Sequence, residues 1–168
     1  MSDKMKIKVF SCIMLTLLFL CACRTQSVYA KEKITVGTNA EYAPFEYLDS
    51  DGNLTGFDYE LLEAIAQEEN LELEWKDMPF DSLVGSMETG NIQIIAAAIG
   101  PTKEREKSVD FSDVYYTGSQ SIVSSQKTPL YDFAELSGKR VAVLEGSQSD
   151  FIVSGENTDY GVVENATV

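Results

Sequence analysis

The chain has 168 residues, 44% of them hydrophobic, with 13 basic and 27 acidic side chains, no histidine and a net charge of −14. That balance disfavours nucleic acid and anionic lipid headgroups as partners and favours a well-solvated surface. All three cysteines, Cys12, Cys21 and Cys23, fall in the first 23 residues, so the rest of the chain has no disulfide and no thiol nucleophile, and without histidine most metal chemistry is removed as well.

Lys4, Lys6 and Lys8 form a basic start, residues 9–20 are almost wholly apolar, and small or sulfur-containing residues follow, which is the layout of a secretory signal peptide. The apolar part is too short for a comfortable membrane span. Leu20-Cys21-Ala22-Cys23 resembles a bacterial lipoprotein box, which implies a signal peptide over residues 1–22, lipid on Cys23 and a tether over residues 23–32. Cleavage after Val28-Tyr29-Ala30 is the alternative. Without residues 1–22 the remainder holds 10 basic and 26 acidic residues, a net charge of −16.

Ile34 and Val36 begin a short strand that ends at Gly37-Thr38. Asp49-Ser50-Asp51-Gly52-Asn53 places its glycine too early for a calcium loop and reads as an Asp-Gly turn between Tyr47 and Leu54. Phe57, Leu61, Leu62, Ile65 and Ala66 recur at helical spacing, with Asp58 as the cap. Leu71, Leu73 and Trp75 alternate with Glu72 and Glu74 as in a half-buried strand, and Phe80, Leu83, Val84 and Met87 form a helix stopped at Gly90. The apolar run over residues 92–99 predicts a central strand covered on both faces. Gly100-Pro101 then turns into a helix start, with Thr102 as N-cap and Arg105 in the first turn, where N–H groups and a guanidinium suit an anion. Ile122 and Val123 predict a short crossing strand, residues 131–136 a helix, and residues 141–144 a strand entering Gly146-Ser147, which repeats the Gly37-Thr38 start.

Such alternation predicts an α/β chain of two similar units, each an open, largely parallel sheet with helices on both sides. Ligands of such sheets bind at the carboxyl ends of the strands, where the Gly37 and Gly100 loops fall, and a cleft between two units closes by hinge motion. No phosphate-cradling glycine-lysine loop is present.

Gly37-Thr38-Asn39-Ala40-Glu41-Tyr42-Ala43-Pro44-Phe45-Glu46-Tyr47, Gly56-Phe57-Asp58, Phe80-Asp81-Ser82-Leu83, the segment from Gly100 to Arg105, and Gly146-Ser147-Gln148 follow in one order. That order and spacing resemble the family 3 extracellular solute-binding proteins of bacteria, the amino-acid receptors of ABC importers. The resemblance implies a type II periplasmic-binding-protein fold, with lobe 1 over residues 33–118 and the start of lobe 2 over residues 119–168. It further implies a receptor without cofactor or catalytic activity, monomeric, lipid-anchored on the outer face of the bacterial cell membrane, which passes a free amino acid to the permease subunits.

Carried over position by position, the resemblance makes Arg105 the clamp for the α-carboxylate, helped by the N–H groups of Gly100 and Gln148 beside Ser147. The carbonyl of Ala98 accepts from the ammonium, Tyr42 and Phe80 sandwich the side chain, and Asn39 reaches its far end. An uncharged Asn39 points to a polar amino acid, although Glu41 offers an acid nearby. In the family the second lobe continues and the chain returns to the first, so both lobes are expected to lack elements here. The acidic partner of the ammonium has no match in this chain, which is therefore expected to bind its amino acid poorly by itself. The same module also serves as a sensor in larger membrane receptors, beside cell-wall-cleaving domains, and in dehydratases of prephenate or arogenate. No general acid is assigned, although Glu41 and Glu46 lie near the pocket.

Overall fold

A computed structural model of the chain describes residues 30–155. The expected signal peptide, Cys23 and most of the tether lie outside them, as does the end of the expected second lobe. Among the described residues no helix is long and apolar enough to cross a membrane.

Strand β1 (Glu32–Thr38) is the centre strand of a three-stranded parallel sheet. It pairs along its whole length with β5 (Leu71–Asp77), from Glu32 opposite Leu71 to Thr38 opposite Asp77, and through Val36 and Gly37 with β6 (Ile94–Ile95). Because parallel strands need a crossover, the chain between β1 and β5 carries a small antiparallel sheet and a helix. The small sheet is β2 (Glu41–Tyr42), β3 (Glu46–Leu48) and β4 (Leu54–Thr55). Its Asp-Gly turn forms as expected: the Asp49 carboxylate accepts from the backbone of Asp51 and Asn53, and Gly52 supplies a φ of 82°.

Helix α1 (Phe57–Glu68) starts at Gly56, and Asp58 lies in its first turn without capping it. The expected cap is corrected on that point, because the Asp58 side chain is drawn instead to a backbone amide 40 residues away. Gly56 is obligatory: its φ is 123°, and a Cβ there would lie 2.3 Å from the Phe45 carbonyl oxygen. That close approach lets Phe57 and Asp58 donate to the carbonyls of Pro44 and Phe45, which fixes where α1 begins. On β5 the single tryptophan, Trp75, donates to Glu63 of α1 at 2.8 Å and packs against Tyr59. Helix α2 (Ser82–Glu88) follows, stopped as expected at Gly90, whose φ is 75°. Leu83, Ile92 and Ala97 form the first core with Met78, Phe80, Met87 and Ile95 around them.

Several expected elements are shorter. Residues 92–99 yield only the two-residue β6, which is an edge among the described residues, and Ala98 turns into the left-handed region with φ 46°. The helix expected after Thr102 is a single 3₁₀ turn, Arg105–Lys107, although Thr102 does accept from the Arg105 amide. The helix expected over residues 131–136 is the 3₁₀ turn Phe133–Leu136. Among the described residues, 122–123 and 141–144 form no strand, and Arg140 makes an isolated bridge, since a strand exists only where neighbouring backbone satisfies its amides. Helix α3 (Gln148–Ser154), not anticipated, is capped by Ser147, whose hydroxyl accepts from Asp150. Leu136 and Ile152 make a second core with Ile122, Leu130 and Val141.

Candidate functional site

Beyond the carboxyl ends of β1 and β6 lies a cavity of about 280 Å³. It is lined by Asn39, Tyr42, Phe80, Ala98, Gly100, Arg105, Ser147 and Gln148, so all eight residues singled out from the sequence meet in one place. Glu46, Ala97, Gln120, Ala142, Val143, Leu144 and Ser149 complete the lining.

Arg105 is 7% exposed, and its orientation is fixed from several sides. Its two terminal nitrogens donate to the carbonyls of Gly100 at 2.8 Å and Gly146 at 2.7 Å. The rings of Phe80 and Phe151 stand 5.5 and 5.4 Å from the guanidinium carbon. A planar fork held this way is pre-organised for a carboxylate, since little rotamer freedom remains to be lost.

Around the fork, Gln120 donates to Gln148 at 3.4 Å and also meets the Ser149 hydroxyl. Gly146 donates its amide to the Asp150 carboxylate, which sets the turn that aims its carbonyl at Arg105. On the opposite wall the Asn39 amide is engaged with the Met78 carbonyl at 3.3 Å, and the Ala40 amide with Asp77 at 2.9 Å. Asn39 therefore braces the wall as well as lining it. Tyr42 is half exposed and stacks on Phe45 with ring centres 5.5 Å apart.

Sequence reasoning placed Glu46 near the pocket without giving it a role, and the structure gives it the most unusual environment in the cavity. It is 1% exposed, and its Oε2 has no hydrogen-bond partner among the described residues. Burial, and then the neighbouring Asp58 carboxylate, push its pKa up to about 9. Asp58, 2% exposed, accepts through Oδ2 from the Ala98 amide at 2.7 Å and from the Tyr115 hydroxyl at 2.9 Å. Burial and the bond to Asp58 hold the Tyr115 hydroxyl well above its usual range. Nothing in the sequence marks Glu46 as buried, because its burial arises where β3 packs against α1. No group of three or more acidic, histidine or cysteine side chains suited to a metal occurs among the described residues.

The model of the family described as bacterial extracellular solute-binding proteins, family 3, matches residues 34–161. The chain is 40% identical over 139 residues to the arginine-binding extracellular protein ArtP of Bacillus subtilis, covering 83% of this chain and 54% of that one. It is 38% identical over 120 residues to a probable histidine-binding protein of Neisseria gonorrhoeae, covering 71% and 45%. The chain thus spans about half the length of these relatives. Among solved structures, an ancestral arginine-binding protein bound to arginine superposes with a TM-score of 0.72 at 35% identity, covering 82% of this chain and 62% of that one. The ancestral amino acid-binding protein AncCDT-1, a precursor of cyclohexadienyl dehydratase, gives 0.71 at 31% identity, covering 80% and 59%.

Proposed function

The chain belongs to the bacterial extracellular solute-binding proteins of family 3 and to the type II periplasmic-binding-protein fold, of which it forms part, and on that premise we propose that the complete protein captures a basic amino acid, arginine first among them, for an ABC importer. In this reading Arg105 takes the α-carboxylate, the Ala98 carbonyl the ammonium, Tyr42 and Phe80 the aliphatic stem, and the amides of Gly100 and Gln148 support the carboxylate. Residues 33–118 belong to the first of two lobes and residues 119–168 begin the second, and in the complete protein the two close on the ligand. Export under the leader, lipid on Cys23 and delivery to permease subunits belong to the same proposal.

One observation carries the choice of a basic amino acid: Glu46, a residue of the cleft lining, is buried and its Oε2 has no hydrogen-bond partner among the described residues. A guanidinium or ammonium brought there supplies the donor that Oε2 lacks. The sequence pointed to a polar side chain because Asn39 carries no charge; the acid in the cleft is Glu46 instead. Relatives named for arginine and histidine binding agree with a basic substrate. Charged hydrogen bonds contribute about 1.5–3 kcal/mol each, so three of them, two in a carboxylate clamp and one to the side chain, approach the roughly −8 kcal/mol of micromolar affinity when the cleft is pre-organised and dry.

Calorimetry on the polypeptide carried to the length of its relatives tests this. Arginine is expected to bind at micromolar concentration or tighter, glutamine far more weakly, and Arg105→Ala to lose about 100-fold or more while still melting cooperatively. Tight binding of glutamine with none of arginine would restore the polar reading. A second reading rests on the same Glu46, since a carboxyl that keeps its proton to about pH 9 is equipped as a general acid, as a dehydratase requires. Product from prephenate or arogenate, without amino-acid binding, would establish it.

A further inference from the structure

Ala98 has φ 46°, a conformation that costs a side-chain-bearing residue and persists only where the surroundings hold it. The group that holds it is Asp58. Its Oδ2 accepts the Ala98 amide at 2.7 Å and, on the same oxygen, the Tyr115 hydroxyl at 2.9 Å. Asp58 stands at the start of α1, where an acidic residue ordinarily serves the helix, yet no side-chain cap is made there. Its own backbone amide is fixed on the Phe45 carbonyl, and Gly56 pins the turn before it, so this carboxylate is a rigid post.

Building on the receptor reading above, we propose that Asp58 is a positioning residue for the amino-acid site: it holds Ala98 in the left-handed conformation, so that the Ala98 carbonyl meets the ligand's ammonium, and it ties the Ala98 amide to Tyr115 through one shared oxygen. Tyr115 is a dependable second donor, since burial and Asp58 itself keep its hydroxyl protonated. Ala98 lies between Ala97 and Gly100 on the cavity wall, so a change at Asp58 reaches the ligand through the backbone dihedrals of one residue. Ammonium recognition is then set by a residue absent from the cavity lining.

Affinities of the complete receptor for L-arginine and for 5-guanidinopentanoate, the same skeleton without the α-ammonium, separate positioning from folding. Asp58→Ala is expected to lower the affinity for arginine about tenfold or more relative to that for the analogue, a ratio from which the change in Glu46 protonation shared by both guanidinium ligands cancels. Asp58→Asn keeps an acceptor oxygen and retains most of the arginine preference. Ala98→Gly, which adopts a positive φ without strain, restores part of it in the Asp58→Ala background. Should Asp58→Ala not fold, Tyr115→Phe removes only the hydroxyl and carries the test, with a smaller loss again confined to arginine. An unchanged ratio of the two affinities in a folded variant overturns the proposal. A wild-type protein that binds neither ligand overturns the receptor reading first, and the positioning role with it.

Discussion

A carboxyl that is 1% exposed, beside a second carboxyl and with an oxygen lacking a partner, must carry either a proton or a counter-ion. In the ligand-free cleft Glu46 carries the proton, since its pKa is raised to about 9. Two consequences have opposite signs. An unfolded glutamate titrates near 4.5, so the folded protein binds the extra proton between about 4.5 and about 9, and ligand-free stability falls as pH rises through that window. If the complete protein takes arginine as proposed, binding of the cationic side chain displaces the proton, and affinity for arginine is expected to rise with pH, by up to about tenfold per unit below pH 9. Thermal melts and calorimetry from pH 5 to 9 are expected to show both slopes, and Glu46→Gln to flatten both. A flat wild-type affinity profile would mean that the proton stays on Glu46 and the side chain lies elsewhere. The eight cleft residues came from an ordered set of short motifs, not from periodicity, which is why Glu46, whose signal is purely tertiary, received no role.

The elements divide by how local their causes are. Strand β1, strand β5, the turn at Gly52 and the stop of α2 at Gly90 are dictated by alternation and glycine position, and each lies where the sequence put it. Residues 122–123 and 141–144 have strand composition but no ladder, because strand pairing is a property of neighbours. Helix α3 was missed although Ser147 and Asp150 carry a legible start signal, the hydroxyl of one accepting from the amide of the other. At Gly56 the local cause is a steric one, and it yields a direct expectation. Gly56→Ala meets both a φ of 123° and the Phe45 carbonyl, so it is expected to destabilise the fold by about 1–3 kcal/mol, measured by denaturant unfolding. Gly52→Ala, also at positive φ but with open space around its Cβ, is expected to cost less, about 1 kcal/mol. Equal losses would remove the close approach as the reason for Gly56.

At the scale of the molecule, the α/β order and the parallel sheet were legible because the β-then-α rhythm repeats, whereas the depth of each part was not. Leu83 and Ile92 are at most 1% exposed in the first core, while Val114, Val123 and Tyr131 stand 73%, 96% and 83% exposed beyond it. Amide exchange in the 168-residue chain is therefore expected to be slowest at residues 34–38, the part of β1 with ladders or packing on both sides, and orders of magnitude faster over residues 119–131. Uniform protection would show that a second packed layer covers that segment. Leu83→Ala is expected to cost about 2–5 kcal/mol and to unfold the first core, with the melting temperature as readout. The one indole of the chain sits on β5 against α1, bonded to Glu63 and absent from the cavity lining. Its emission is thus a built-in optical gauge of the α1–β5 seam: it follows denaturation of that sheet, while occupancy of the cleft is read through the tyrosines, Tyr42 above all.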